Sequence, residues 1–224
     1  MTFSIVGRTP DGSQFGVAIS SSSPAVAARC SHARAGVGAV ASQNITDPGL
    51  GAAVLARLES DSDADGALAA ALGATPYAGF RQLLALGRRG APAAYSGEHT
   101  LGIYATATGE HCAAGGNLLV NTGVPEAMVQ AFAGADGHLG ARLLTALRAG
   151  LAAGGEAGPV HSAGLLVVRD VPWPVVDLRV DWHDSDPVGS LGQVWSIYAP
   201  QIDDYVRRAL DPSQAPRFGV PGDP

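Results

Sequence analysis

Hydrophobic and polar side chains alternate at the start of the chain in the manner of β-strands. Over residues 2–9 the large apolar side chains of Phe3 and Ile5 alternate with polar ones, and an apolar run returns over residues 15–20. The intervening Pro-Asp-Gly-Ser at residues 10–13 has the composition of a tight turn. The pattern therefore predicts an antiparallel hairpin that begins at the second residue of the chain.

The rest of the chain shows blocks of strands followed by blocks of helices. Apolar spacing and start signals predict helices over residues 50–59, 63–73, 125–132, 139–152, 188–198 and 202–210. Strands are predicted over residues 35–43, 82–86, 92–95, 162–168 and 175–180, with two more strand-like stretches within residues 101–120. This order favours an α+β or layered domain with a largely antiparallel sheet over an alternating nucleotide-binding fold. We expect a single domain over residues 1–210 and a Pro-rich C-terminal tail over residues 211–224.

Composition and charge exclude several classes of function. The 224 residues are 46% hydrophobic and 15% charged, which is typical of a globular fold with a large core. The net charge of −6 disfavours nucleic-acid binding, which requires a cationic surface. All 14 basic residues are arginines, so Schiff-base chemistry and a P-loop lysine are excluded. No apolar run approaches the ~20 residues of a membrane span, and no signal peptide is evident, so we expect a cytoplasmic protein without membrane contact.

Thr2 is the residue whose type and position most specifically indicate a catalytic role. An initiator methionine is normally removed before a small residue, which leaves the threonine with a free α-amine. Because such an amine has a pKa of about 7.7–8.0, it can take the proton from the hydroxyl of its own residue. One residue at the start of a rigid strand then supplies both nucleophile and base. The alternative is an ordinary strand threonine, since many chains begin with Met-Thr.

Polar side chains at predicted strand ends are candidates for assisting this nucleophile. Ser20 and Ser21 end the second strand of the hairpin, beside the start of the first, where they can bond to the amine or the hydroxyl. Gln43 and Asn44 follow the third strand, and Asn117 follows a Gly-Gly pair. Their amides can donate to a developing oxyanion. In each case the alternative is a polar side chain that satisfies local backbone groups.

Charged residues near the last predicted strand are candidates for binding substrate. Asp177 and Arg179 lie on one strand face. Arg179 can bind a substrate carboxylate through two hydrogen bonds, or it can pair with Asp177 for structural reasons. His183 follows, with Asp184 and Asp186 close behind, but this Pro-bounded stretch is more typical of a solvated turn than of a metal site. No metal and no cofactor are therefore predicted.

Several weak motifs together give a family resemblance. They are the MTFSIV of residues 1–6, the GVGAVASQ of residues 36–43, Gly116-Asn117, the SAGLLVV of residues 162–168 and the VDLRVD of residues 176–181. In order and spacing they resemble the DUF1028 family from Met1 to about Tyr198. The resemblance implies the N-terminal-nucleophile (Ntn) hydrolase superfamily and its four-layer αββα sandwich, in which two mainly antiparallel sheets lie between helix layers. It also implies amide-bond hydrolysis by an N-terminal nucleophile.

The leading hypothesis is a hydrolase of a small-molecule amide or a short peptide. Thr2 attacks the carbonyl, Gln43 or Asn117 donates to the oxyanion, and Arg179 anchors an acidic group. A second hypothesis is a catalytically inactive relative that binds a small metabolite in the same cleft. A third is a serine-dependent or metal-dependent hydrolase. The apolar composition is compatible with a homodimer.

Overall fold

The computed structural model describes residues 1–219. Its strands are β1 (Thr2–Arg8), β2 (Phe15–Ser21), β3 (Ser31–Arg34), β4 (Gly38–Asn44), β5 (Arg81–Gly87), β6 (Ala93–Ser96), β7 (Ala105–Thr108), β8 (Cys112–Asn117), β9 (Ser162–Val168) and β10 (Val176–Val180). Its helices are α1 (Val26–Cys30), α2 (Pro48–Glu59), α3 (Ala64–Gly73), α4 (Val124–Ala133), α5 (Leu139–Ala152), α6 (Pro187–Tyr198) and α7 (Ile202–Leu210). Of the predicted tail, residues 212–214 form a short 3-10 turn, and residues 220–224 lie outside the described residues.

Short polar side chains start several of the helices. Asp47, Asp63 and Asp186 each accept a hydrogen bond from a backbone N–H in the first turn of α2, α3 and α6. Such caps satisfy N–H groups that have no partner within the helix. Pro48 and Pro187 occupy the first helical position, where their missing N–H costs nothing. The sequence therefore fixes where these helices begin.

The strands form two antiparallel sheets. The larger has the order β10-β9-β2-β1-β8-β7, and the smaller has the order β3-β4-β5-β6. Within the larger sheet, β1 is a central strand with β2 on one side and β8 on the other. The first residue of β1 is therefore held by hydrogen-bonded neighbours on both sides.

Of the four sets of buried apolar side chains, three hold the two sheets and the larger helices together, and a fourth, smaller set packs α1 on β2. The first packs one face of the larger sheet against α4, α5 and α6; it includes Phe3 of β1 and Leu143 of α5. The second packs the smaller sheet against α2 and α3, at Val54. The third lies between the two sheets and includes Val6 and Leu84. Since side chains alternate along a strand, β1 directs its odd-numbered residues to the helices and its even-numbered residues to the space between the sheets.

Most of the predicted elements are confirmed, but one strand begins later than predicted, and strand β3 and helix α1 were not predicted. The strand predicted over residues 35–43 is wrong at its start, because Gly36 adopts a left-handed φ of 72° in the turn that separates β3 from β4. Helix α1 was not predicted, since five residues make little more than one turn and carry no periodic signal. It packs so closely on β9 that a Cβ on Gly164 would lie 2.3 Å from the Cβ of Ala27.

Within residues 1–219, no helix has the length and apolar character needed to cross a bilayer.

Candidate active site

Thr2 lies at the end of the space between the two sheets, with polar residues on either side. In the strand register it pairs with Ser21 of β2 and with Asn117 of β8. Directly opposed residues of antiparallel strands point to the same face, so all three side chains face the smaller sheet. Thr2 is 6% exposed, and Ser21 and Asn117 are buried. The register thus places three of the residues proposed from the sequence side by side.

The hydroxyls of Thr2 and Ser21 share one acceptor. The Thr2 Oγ1 lies 3.2 Å from the Ser21 Oγ, and both hydroxyls donate to the carbonyl oxygen of Met1. The Ser21 Oγ also accepts from the backbone N–H of Ser23 at 3.1 Å. With Met1 in place, the single proton of each hydroxyl is therefore directed at Met1.

A separate buried amide network lies beside this pair and joins the larger sheet to the smaller one. The Ser4 hydroxyl donates to the Gln43 Oε1 at 2.6 Å, and the Gln43 Nε2 donates to the Gln82 Oε1 at 2.8 Å. The Asn117 Nδ2 donates to the same Gln82 Oε1 at 3.1 Å. Gln82, which the sequence analysis missed, connects the two amides proposed there. Its only sequence signal was a polar residue at the start of a predicted strand.

Counting amide hydrogens separates the roles of Gln43 and Asn117. The Gln43 Nε2 uses both of its hydrogens, one on Gln82 and one on the carbonyl of Gly115 at 3.2 Å. The Gly115 carbonyl can only accept, so this orientation of the amide is fixed. The Asn117 Nδ2 has one hydrogen on Gln82, and its second hydrogen has no partner among the described residues. Asn117, unlike Gln43, is therefore free to donate to a bound oxyanion.

A buried carboxylate that the sequence analysis did not identify faces the chain terminus. Glu156 is 4% exposed, and among the described residues neither carboxylate oxygen has a hydrogen-bond partner of good geometry. Burial raises its pKa to about 7, although the N-terminal amine, Ser22 and His161 each lower it in part. The sequence signal was faint, namely one acidic residue in the small-residue stretch of residues 154–158, which was interpreted as a loop.

The backbone fixes this loop against the neighbours of Thr2. Glu156 forms a β-bridge with Leu119, two residues beyond Asn117, and the N–H of Ala157 donates to the Leu118 carbonyl. Farther along, the N–H of His161 donates to the Ser21 carbonyl at 2.8 Å. The segment of residues 155–161 therefore runs from the end of β8 to the end of β2 and passes the chain terminus.

The raised pKa of Glu156 predicts a pH-dependent stability. Between pH 4.5 and about 7 the native carboxyl keeps a proton that the unfolded chain releases, so stability falls as pH rises through this window. At about 1.4 kcal/mol per unit, the full loss is about 3 kcal/mol. In protein that retains Met1, Glu156→Gln is expected to raise the free energy of unfolding at pH 8 by up to that amount and to change it little at pH 4.

Urea unfolding of the two proteins at pH 4 and pH 8 measures this effect. Glu110→Gln, at a carboxylate that is 88% exposed, is the matched control and should change stability little at either pH. A Glu156→Gln variant that is less stable than the wild type at pH 8 would show that the carboxylate has a stabilising partner.

Ser20 and Asn44 have structural partners elsewhere. The Ser20 side chain faces away from Thr2 and donates to the Ser162 carbonyl at 3.0 Å. Asn44 has a left-handed φ of 73°; its Nδ2 donates to the Phe80 carbonyl, and its Oδ1 accepts from the N–H of Leu101. The Ser20 hydroxyl thus bonds to the first residue of β9, and the Asn44 side chain bonds to the segments at Phe80 and Leu101. A role for either residue in catalysis or substrate binding stays a prediction.

The charged residues proposed for substrate binding lie farther away. Arg179 donates two hydrogen bonds of 2.8 Å to Asp177, and both side chains are about 40% exposed. They are on β10, three strands from β1, which corresponds to roughly 14 Å. The His183 Nδ1 accepts from the N–H groups of Ser185 and Asp186 and so closes a turn. The structure does not bring these residues to Thr2, and their role in binding stays a prediction.

Two surface cavities lie away from Thr2. One of about 640 Å³ is lined by residues that include Asp61 and Arg88, and one of about 460 Å³ is lined by residues that include Trp173. Neither is lined by Thr2. With Met1 present, the position in front of the Thr2 hydroxyl is taken by the Met1 carbonyl, while the Met1 side chain lies against Gly158.

Comparison with known proteins identifies the family. The chain belongs to DUF1028, a family of unknown function, which matches residues 2–191. A crystal structure of a DUF1028 protein from Silicibacter pomeroyi is 30% identical, with a TM-score of 0.85 over 92% of this chain and 90% of that one. Anbu from Hyphomicrobium sp. strain MC1 is 13% identical, with a TM-score of 0.44 over 97% of this chain and all of that one. No curated protein matches the chain.

Proposed function

We propose that this protein is an N-terminal-nucleophile hydrolase that cleaves an amide bond in a small molecule or a short peptide. On this proposal the two sheets and their helices form the four-layer αββα sandwich of that superfamily. Removal of Met1 exposes the α-amine of Thr2, whose hydroxyl is the nucleophile. The reaction uses no metal and no cofactor.

The observation that carries the proposal is the position of the Thr2 hydroxyl. Its Oγ1 is held at the buried start of a central strand, 3.2 Å from the Ser21 Oγ, with Asn117 as the neighbour on the other side. Rigid placement of nucleophile and oxyanion donor lowers the barrier because little has to reorganise during the reaction.

The proposed chemistry balances with the groups at hand. As the Thr2 oxygen bonds to the substrate carbon, its proton moves to the α-amine, and the Asn117 Nδ2 donates its unused hydrogen to the carbonyl oxygen. The C–N bond then breaks, and the leaving amine takes the proton from the ammonium. Water attacks the resulting ester, gives its proton to the α-amine and releases the acid, after which the proton returns to the Thr2 oxygen.

A hydroxyl-reactive β-lactone tests the nucleophile directly. The probe is added to protein freed of Met1 and to protein that retains it, prepared in cells treated with an inhibitor of methionine aminopeptidase. We expect one acyl group on Thr2 in the first form and none in the second, located by mass spectrometry of the N-terminal peptide. Absence of the acyl group from Thr2 in the form freed of Met1 would overturn the proposal.

The second candidate function applies to a protein that keeps Met1. Its carbonyl accepts from both hydroxyls, and while it stays in place Thr2 has no free amine. A chain that keeps Met1 in its native cell would therefore be an inactive relative that binds a small metabolite on the same fold. The intact mass of protein isolated from that cell distinguishes the two functions.

A further inference from the structure

We propose that Glu156 is a positioning residue that binds the α-ammonium group of Thr2 and controls when that amine is free to act as a base. This inference rests on the function proposed above. It assigns a role to a buried acidic side chain that the hydrolytic steps do not otherwise use.

The carboxyl group of Glu156 is buried and its hydrogen-bonding capacity is poorly satisfied. Glu156 is 4% exposed, and within the described residues both of its oxygens are without a hydrogen-bond partner of good geometry. Burying a carboxylate in this way is costly unless it is paired with a cation or a proton donor. The α-ammonium group of Thr2, which is exposed when Met1 is removed, is a cation that can fill this role.

The loop that carries Glu156 contacts the ends of both strands that flank Thr2. Glu156 is bridged to Leu119 beside the end of β8, and the same loop bonds to the Ser21 carbonyl through His161. Both strand ends flank Thr2. The carboxylate already interacts with the amine of Met1, and removal of Met1 shifts the amine by one residue, at most about 3.8 Å.

Few charged groups near Glu156 compete with the α-amine for its carboxylate. Residues 118–120, which bridge to the loop, are all apolar. Ser22 on the β2 side is polar but uncharged, and His161 is the other titratable group that faces the carboxylate. The His161 Nδ1 lies 3.0 Å from the His183 carbonyl, and its ring stacks on Trp182. That ring is therefore oriented by other contacts.

The absence of lysine makes the α-amine directly observable. With 14 arginines and no lysine in the sequence, the N-terminus is the sole aliphatic amine of the protein. An amine-selective succinimidyl ester therefore reports on this group alone, and its acylation rate as a function of pH gives the pKa of the amine. The measurement needs no substrate and does not depend on catalytic activity.

The experiment compares Met1-free wild type with Glu156→Gln. A nearby carboxylate raises the pKa of an amine by about one unit or more. The variant should therefore show a lower amine pKa and, at pH 7, acylation that is about tenfold faster. Glu110→Gln is the control and should match the wild type. Glu156→Asp keeps a carboxylate in the loop and should keep part of the shift.

An amine pKa that is the same in Glu156→Gln and in the wild type would overturn this inference. An equal shift in the Gln and Asp variants would also overturn it, because packing rather than charge would then be responsible. Neither result bears on acylation of Thr2 by the β-lactone, so the proposed hydrolase function stands or falls separately.

Discussion

Replacing Thr2 by alanine is expected to abolish acylation by a β-lactone and to lower amide hydrolysis by about 10³-fold or more. The alanine variant keeps the α-amine, the strand and the neighbouring amides, but it has no oxygen that can bond to the substrate carbon. Thr2→Ser keeps that oxygen and should retain the reaction. The contrast between the two variants isolates the hydroxyl, because both start with a small residue that permits removal of Met1.

Folding of the alanine variant has to be checked separately. Thr2 contacts Ser21 through its hydroxyl, and loss of such a hydrogen bond costs about 1 kcal/mol. Thermal unfolding should therefore show a small decrease in stability and a cooperative transition. A well-folded Thr2→Ala protein that is acylated at the wild-type rate would place the nucleophile elsewhere. Ser21 would then be the first alternative, since it is the hydroxyl next to Thr2.

Local sequence patterns predicted the fold well where a signal repeats. The hairpin of β1 and β2 has seven residue pairs and an alternating pattern, and α5 has a regular apolar face, so both were predicted from the sequence. Elements without a repeating signal were missed. Helix α1 is too short for periodicity, and the break between β3 and β4 depends on the single residue Gly36.

The candidate site was predictable only in part, because it depends on contacts between distant segments. Thr2 and Ser21 are brought together by a local hairpin, which the sequence specifies. Gln82 and Glu156 reach the site through the pairing of β5 with β4 and through a loop that crosses beside β8. Neither pairing leaves a local signature. Spacing alone also left open whether Arg179 pairs with Asp177 or binds a substrate carboxylate. In the structure Arg179 forms an ion pair with Asp177.

The choice between Gln43 and Asn117 as the oxyanion donor also required the structure. From the sequence, both are amides at the end of a strand. In the fold, Gln43 has both amide hydrogens occupied, whereas Asn117 has one to spare. We therefore expect Asn117→Ala to slow acylation of Thr2 by the β-lactone by 10²- to 10³-fold, the usual effect of removing one oxyanion donor.

Gln43→Ala is expected to lower stability strongly and the acylation rate only weakly. This change removes the partner of the Ser4 hydroxyl and of the Gly115 carbonyl inside the protein, and each buried group left unpaired costs about 1–3 kcal/mol. The variant should therefore lose several kcal/mol of stability, measured by urea unfolding. Its acylation by the β-lactone should slow only to the extent that the weakened network lets Asn117 move. Asn117→Ala leaves the Gln82 Oε1 bonded to Gln43, so its stability should fall less. If a folded Gln43→Ala protein is acylated much more slowly than the wild type while Asn117→Ala is acylated at the wild-type rate, the oxyanion donor is Gln43 and not Asn117.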